Sequence, residues 1–167
     1  YGSRDETVEM ALVETSLKVD YLIPPLIVGE ALPTVWFGHD GTLKTMLALL
    51  AGACIALGRP FITGPSKQAN VLMLDYEGSA SRIKSRLFRL LAGMGVMGAS
   101  AEGFWERFRY WPVDGRALPD ILPALKRRIR EDDIGFLIID SAGLACGGSP
   151  KEEDVTFRFF NALRQLA

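Results

Sequence analysis

"GHDGTLKT", residues 38–45, is the stretch on which the reading of this chain turns. A phosphate-binding loop follows G-x-x-x-x-G-K-[ST]. Gly38, Lys44 and Thr45 meet that pattern, but Leu43 stands where the second Gly belongs. Phosphates are held mainly by backbone N–H groups that a Gly-containing turn directs inward, and by the positive end of the helix that follows. Leu43 keeps its N–H and loses only the easy access to positive φ. If position 43 is already near-helical, a Leu is tolerated there and packs down against the sheet. On this basis residues Gly38, His39, Asp40, Gly41, Thr42, Leu43, Lys44 and Thr45 are expected to form a working nucleotide loop. Lys44 would reach the β and γ phosphates, and the Thr45 hydroxyl would serve Mg²⁺. His39, the one histidine, reads as loop filler.

On either side of the loop, β-like and helix-like stretches alternate. "TVWF" (34–37) precedes it as a short β-favouring run, and "MLALLAGACIAL" (46–57) follows as an apolar helix. At 12 residues that run falls well short of the roughly 20 that a membrane-spanning helix needs. "NVLMLDY" (70–76), "RFRYWPV" (107–113) and "IGFLIID" (134–140) read as further strands, the last unbroken enough to be buried on both faces. Between and after them, 79–95 repeats Ile83, Leu87, Leu90 and Leu91 at helical spacing, and 118–132 reads as a helix that starts near Pro123 or is irregular before it. The closing segment sets Val155, Phe159, Ala162 and Leu166 on one stripe. Such alternation specifies a three-layer α/β fold, a mainly parallel sheet with helices on both faces.

In an open α/β sheet, ligands bind beyond the C-terminal strand ends. The loop at 38–45, "DYEG" (75–78) and "DSAG" (140–143) all fall at such ends. Asp140 can hold the water shell of Mg²⁺ opposite Thr45, the alternative being an Asp that caps the next segment. Glu77 and Asp75 compete as the carboxylate that orients and deprotonates an attacking water. Residues two apart share a strand face, so spacing leaves both open.

Composition bounds the rest. The 167 residues are 49% hydrophobic and 23% charged with net charge −1, enough for one core and without a general positive field for nucleic acid or membranes. Cys54 and Cys146 sit among small apolar residues without metal-ligand spacing, which points to a reducing, cytoplasmic setting. Residues 1–20 form a polar lead unlike a signal peptide, and 21–167 the core. The basic groups Arg82/Lys84/Arg86/Arg89 and Lys126/Arg127/Arg128/Arg130 read as solvated helix faces, or as contacts to DNA or a neighbouring subunit. Trp36, Trp105 and Trp111 read as core.

The stretches 21–61, 71–90 and 134–167 together resemble the RecA-like P-loop ATPases, and among them the AAA-type branch related to the plasmid replicative helicase RepA. In that branch the loop often runs G-x-x-G-[ST]-L-K-[ST], so the resemblance makes Leu43 a family habit. It implies ATP and Mg²⁺ as ligands, with Gly38, Gly41, Lys44 and Thr45 on the nucleotide. It also implies Glu77 over Asp75 as the catalytic carboxylate, and Asp140 with Thr45 at the metal. A ring or filament with ATP between subunits, and DNA-associated work in a replicative or mobile-element helicase, are implied as well. RecA-like cores continue past the helix after the Asp140 strand into a further strand and DNA-binding loops. The resemblance thus implies a core incomplete at its C-terminus, with an apolar sheet edge exposed. Two rivals are a P-loop kinase for a small molecule, with 118–132 as an Arg-rich lid, and a non-enzymatic, nucleotide-switched assembly module.

Overall fold

The computed structural model describes residues 19–29, 33–39 and 41–166. Asp40 and most of the polar lead therefore lie outside the described residues. A short antiparallel pair comes first, β1 (Tyr21–Ile23) and β2 (Ile27–Val28). Then follow α1 (Lys44–Leu57), β3 (Asn70–Asp75), α2 (Ala80–Gly93), α3 (Ala99–Arg107) and β4 (Phe108–Pro112). The chain closes with α4 (Leu118–Glu131), β5 (Ile134–Asp140), α5 (Ala142–Ala145) and α6 (Glu153–Arg164).

The main sheet has three parallel strands in the order β4-β3-β5. Central β3 is buried on both sides, and its alternation divides two cores. Val71 and Met73 join Phe108 and Ile138 under α1, α2 and α3, whereas Leu72 and Leu74 join residues of α4, α5 and α6 on the other face. The expected three-layer α/β architecture is thus present. Its layers are tight: a Cβ at Gly52 would come 2.8 Å from Ile138 Cδ1 and 3.0 Å from Phe108 Cε2, so the missing side chain lets α1 lie close on the sheet. Ile55 and its neighbours are buried as the apolar run predicts, and Gly58 ends the helix in the left-handed conformation.

The sheet departs from expectation at residues 34–37, which form no strand. Among the described residues, β5 pairs only with β3. Its other edge faces Pro33–Trp36 across a groove of about 360 Å³, lined mostly by apolar side chains. Without a hydrogen-bonding neighbour, β-favouring residues do not make a strand, and Val35 and Phe37 are exposed. Helix α4 also differs. It begins at Leu118, with Pro119 in its first turn and Asp120 accepting a hydrogen bond from Ala117 N–H at 3.2 Å, and it carries Pro123 inside. The stripe on α6 buries Val155, Phe159 and Ala162 and half-buries Leu166. No helix among the described residues is long and apolar enough to cross a membrane.

Candidate functional site

The C-terminal ends of β3 and β5 and the N-terminus of α1 meet at one end of the sheet. Asp75 and Asp140 are register partners, and Tyr76 N–H donates to the Asp140 carbonyl at 2.7 Å. The loop joins them through one contact: Thr45 Oγ1 donates to Asp140 Oδ2 at 2.8 Å. Helix α1 therefore begins against the acid that ends β5. Asp140 makes this bond instead of capping the next segment, and α5 has no side-chain cap.

Within the loop, Lys44 Nζ donates to the carbonyls of Gly38 (2.7 Å) and His39 (2.8 Å), and Thr42 Oγ1 donates to His39 O at 2.7 Å. Gly41 takes φ 79°, a conformation that favours glycine, whereas a Cβ on Gly38 would approach the Thr42 side-chain Oγ1 to 2.9 Å and crowd the hydrogen bond it makes to His39. His39 is exposed, and it is its main-chain carbonyl that joins the loop.

Leu43 behaves otherwise than the sequence suggests. It is left-handed, φ 62° and ψ 18°, at the N-cap of α1, and its side chain is 66% exposed instead of packed on the sheet. The loop thus retains the backbone shape of a Gly with a residue that pays about 1–2 kcal/mol for it. Substituting Leu43→Gly should relieve that strain, offset by about 0.4–1 kcal/mol from the greater freedom of Gly in the unfolded chain. We expect a rise in Tm of roughly 2 °C by thermal melting, with the loop's ligand affinity kept.

The site suits an anionic ligand. No side chain caps the N-terminus of α1 and no acid occupies its first turn, so its leading N–H groups and partial positive charge are left for one. Lys44 adds an ammonium at the loop. The oxygens of Thr45 and Asp140 are hard donors of the kind Mg²⁺ takes. No cluster of three His, Cys, Asp or Glu side chains fit to hold a metal occurs among the described residues. A bound Mg²⁺ would thus take its remaining ligands from phosphate and water, the habit of that ion.

The acids divide sharply. Asp75 is 3% exposed, accepting Tyr110 Oη–H at 2.8 Å and Glu77 N–H at 3.0 Å. Glu77, on the turn beyond β3, is exposed. Asp140 is held above the usual carboxylate range, first by burial and then by the charges of Glu77 and Asp75, with the Thr45 hydrogen bond and Arg86 acting in opposition. Glu77 and Asp75 thus bring negative charge close to Asp140. Arg86, read from sequence as part of a basic patch, is half-buried on α2 and sends its field to this acid, whereas Arg82, Lys84 and Arg89 are exposed. In the second basic group, Arg128 pairs with Asp132 (3.3 Å) and lies over Trp111, and Lys126 donates to Gln165. Trp36 and Trp105 pack against the core beneath α1. Tyr110 was unreadable as a site residue, because only the β3–β4 pairing brings it to Asp75.

No curated protein matches the chain. A family model described as an AAA domain matches residues 5–167, from before the first described strand through α6. With the Gly-shaped loop opening α1, an acid-ended parallel strand bound to its Thr, and a family match over nearly its whole length, this chain belongs to the AAA domain family of P-loop ATPases.

Proposed function

We propose that this chain is the ATP-binding core of a Mg²⁺-dependent ATPase whose hydrolysis drives DNA-associated work, as in a replicative or mobile-element helicase related to RepA. The observation that carries the reading is the Thr45–Asp140 hydrogen bond at 2.8 Å, which joins the loop to the acidic end of β5. Lys44, already directed across the loop, would exchange the Gly38 and His39 carbonyls for phosphate oxygens. Mg²⁺ bound there with ATP supplies neutralisation of the phosphate charge. Thr45 and Asp140 would hold it. Glu77 is exposed at the same end of the sheet, with a carboxylate free to orient a water and accept its proton. Asp75 has its oxygens engaged by Tyr110 and the Glu77 amide, which favours Glu77 for that role.

The DNA and oligomer parts of the proposal rest on the sequence resemblance and on the exposed Arg82, Lys84 and Arg89 of α2. The 1–20 and 21–167 division belongs to the same reading. The kinase rival loses its lid: α4 buries Leu118, Ile121 and Leu125 against the sheet.

The test is ATP turnover by the chain with Mg²⁺, with and without single-stranded DNA. Turnover that DNA raises several-fold is the expected result. Turnover indifferent to DNA would remove the helicase reading and leave the ATPase. Tight binding without turnover, coupled to a nucleotide-dependent change in assembly, would favour the switch module.

A further inference from the structure

Among the described residues, Asp75 is the one polar or charged side chain that is buried. A buried carboxylate is costly unless its hydrogen bonds are met. Here the cost is heightened, because Asp75 is the register partner of Asp140 and its charge bears on that second acid. A neutral Asn would fill the same volume without that repulsion, so packing alone gives no reason for an acid at 75.

What the carboxylate does is visible in its partners. One oxygen accepts the Glu77 amide at 3.0 Å, so Asp75 ties down the backbone of the residue two places on, where the strand has ended. The other accepts the Tyr110 phenol at 2.8 Å. Tyr110 is the mid-strand residue of β4 and is itself paired in register with Met73, so the phenol is anchored to the sheet and not to the loop. Gly78 completes the arrangement: a Cβ at that position would overlap the Asp75 carboxylate, so the turn wraps directly over it. The chain from sheet to site is therefore Tyr110, Asp75, then the Glu77–Gly78 backbone.

We propose that Tyr110 and Asp75 are positioning residues that brace the Glu77 turn from the sheet, so that the Glu77 carboxylate is presented to water in one orientation. The proposal rests on the reading of Glu77 as the water-activating carboxylate. Neither residue need touch nucleotide. Their removal should act on turnover and not on binding.

The experiment compares wild type, Tyr110→Phe, Asp75→Asn, Glu77→Gln and the Tyr110→Phe/Glu77→Gln double variant. Tyr110→Phe keeps the ring, and Asp75→Asn keeps the shape and an acceptor oxygen, so both retain the packing of β3 and β4. Each single brace variant should lower kcat about tenfold, a fraction of the 10²–10⁴ a positioned base supplies, with the Kd for a fluorescent ATP analogue within about twofold. Amide hydrogen exchange at Glu77, followed by NMR, should quicken by about tenfold in Tyr110→Phe as the turn loosens. In the Glu77→Gln background, Tyr110→Phe should add nothing, because residues acting through one another are not additive. Turnover that needs Glu77 but ignores both brace variants overturns the brace alone. So does a Tyr110→Phe effect of equal size in the Glu77→Gln background. Turnover that is absent, or indifferent to Glu77→Gln, overturns the reading of Glu77 and the brace with it.

Discussion

Glu77→Gln should lower ATP turnover by about 10²- to 10³-fold and leave ATP affinity within about threefold of wild type. The size follows from what is removed. Gln keeps the length and the hydrogen-bonding oxygen of Glu but cannot accept a proton, so the orientation of a water survives and its activation does not. The absence of a binding effect follows from placement. Glu77 is exposed beyond β3, and its own amide, not its carboxylate, is what the fold uses. Loss of its negative charge also removes one of the fields that hold Asp140 above the ordinary carboxylate range. Ionisation of Asp140 then becomes easier, which offsets the negative charge lost near a bound cation, and the fold should be no less stable. The measurements are single-turnover hydrolysis, Kd for a fluorescent ATP analogue and a thermal melt without nucleotide. A loss of affinity parallel to the loss of turnover would mean that Glu77 belongs to ligand binding, and the assignment of a general base would fall.

The elements that sequence makes legible are those whose residues decide their own burial. The run at 71–74 has no polar face, so it could only be an interior strand; "IGFLIID" does carry its acid to the sheet's end, but the expected burial on both faces fails, because among the described residues β5 pairs only with β3 and fully buries only Ile138. Helix α1 follows from its unbroken apolar run, and α2 and α6 from their apolar spacing. Residues 34–37 show the limit of such reasoning: "TVWF" has strand chemistry, but a strand is made by its neighbour, and β5 offers it no hydrogen bond across the groove. The hairpin of β1 and β2 has strands of three and two residues, too short to show a period. Helix α3 has Gly103 at its centre and, among its described side chains, only Phe104 fully buried, so its pattern is weak. At the site, motif spacing identifies Lys44, Thr45 and Asp140 but not their mutual geometry. The left-handed Leu43 is the sharpest case, because a side chain gives no local sign that its backbone will adopt a glycine conformation. Tyr110 and Arg86 reach the acids only through pairing and packing of β4 and α2, which no single stretch of sequence contains.

For Lys44→Ala, the expected result is a fall in Mg²⁺–ATP affinity of about 100-fold, which corresponds to about 2.7 kcal/mol. Two effects of the ammonium must be separated to read that number. In the described loop, Lys44 Nζ bonds the carbonyls of Gly38 and His39, so Ala removes two tethers as well as a charge. Those carbonyls belong to exposed residues and can turn to water, so their net loss is about 1 kcal/mol or less each. A melt without nucleotide therefore measures the tether, and the Kd measures the tether and the charge together. Lys44→Met controls for packing, since it restores the aliphatic length while lacking the ammonium that supplies both the tethers and the charge. If the loop receives phosphate, Met and Ala should lose affinity alike, because a charge-assisted hydrogen bond to phosphate is what both lack. A Tm drop with affinity preserved would make Lys44 a structural clasp of a loop that receives no phosphate. The Thr45–Asp140 contact would then be an ordinary part-buried hydrogen bond, and the ATPase proposal would lose its footing at the loop on which it stands.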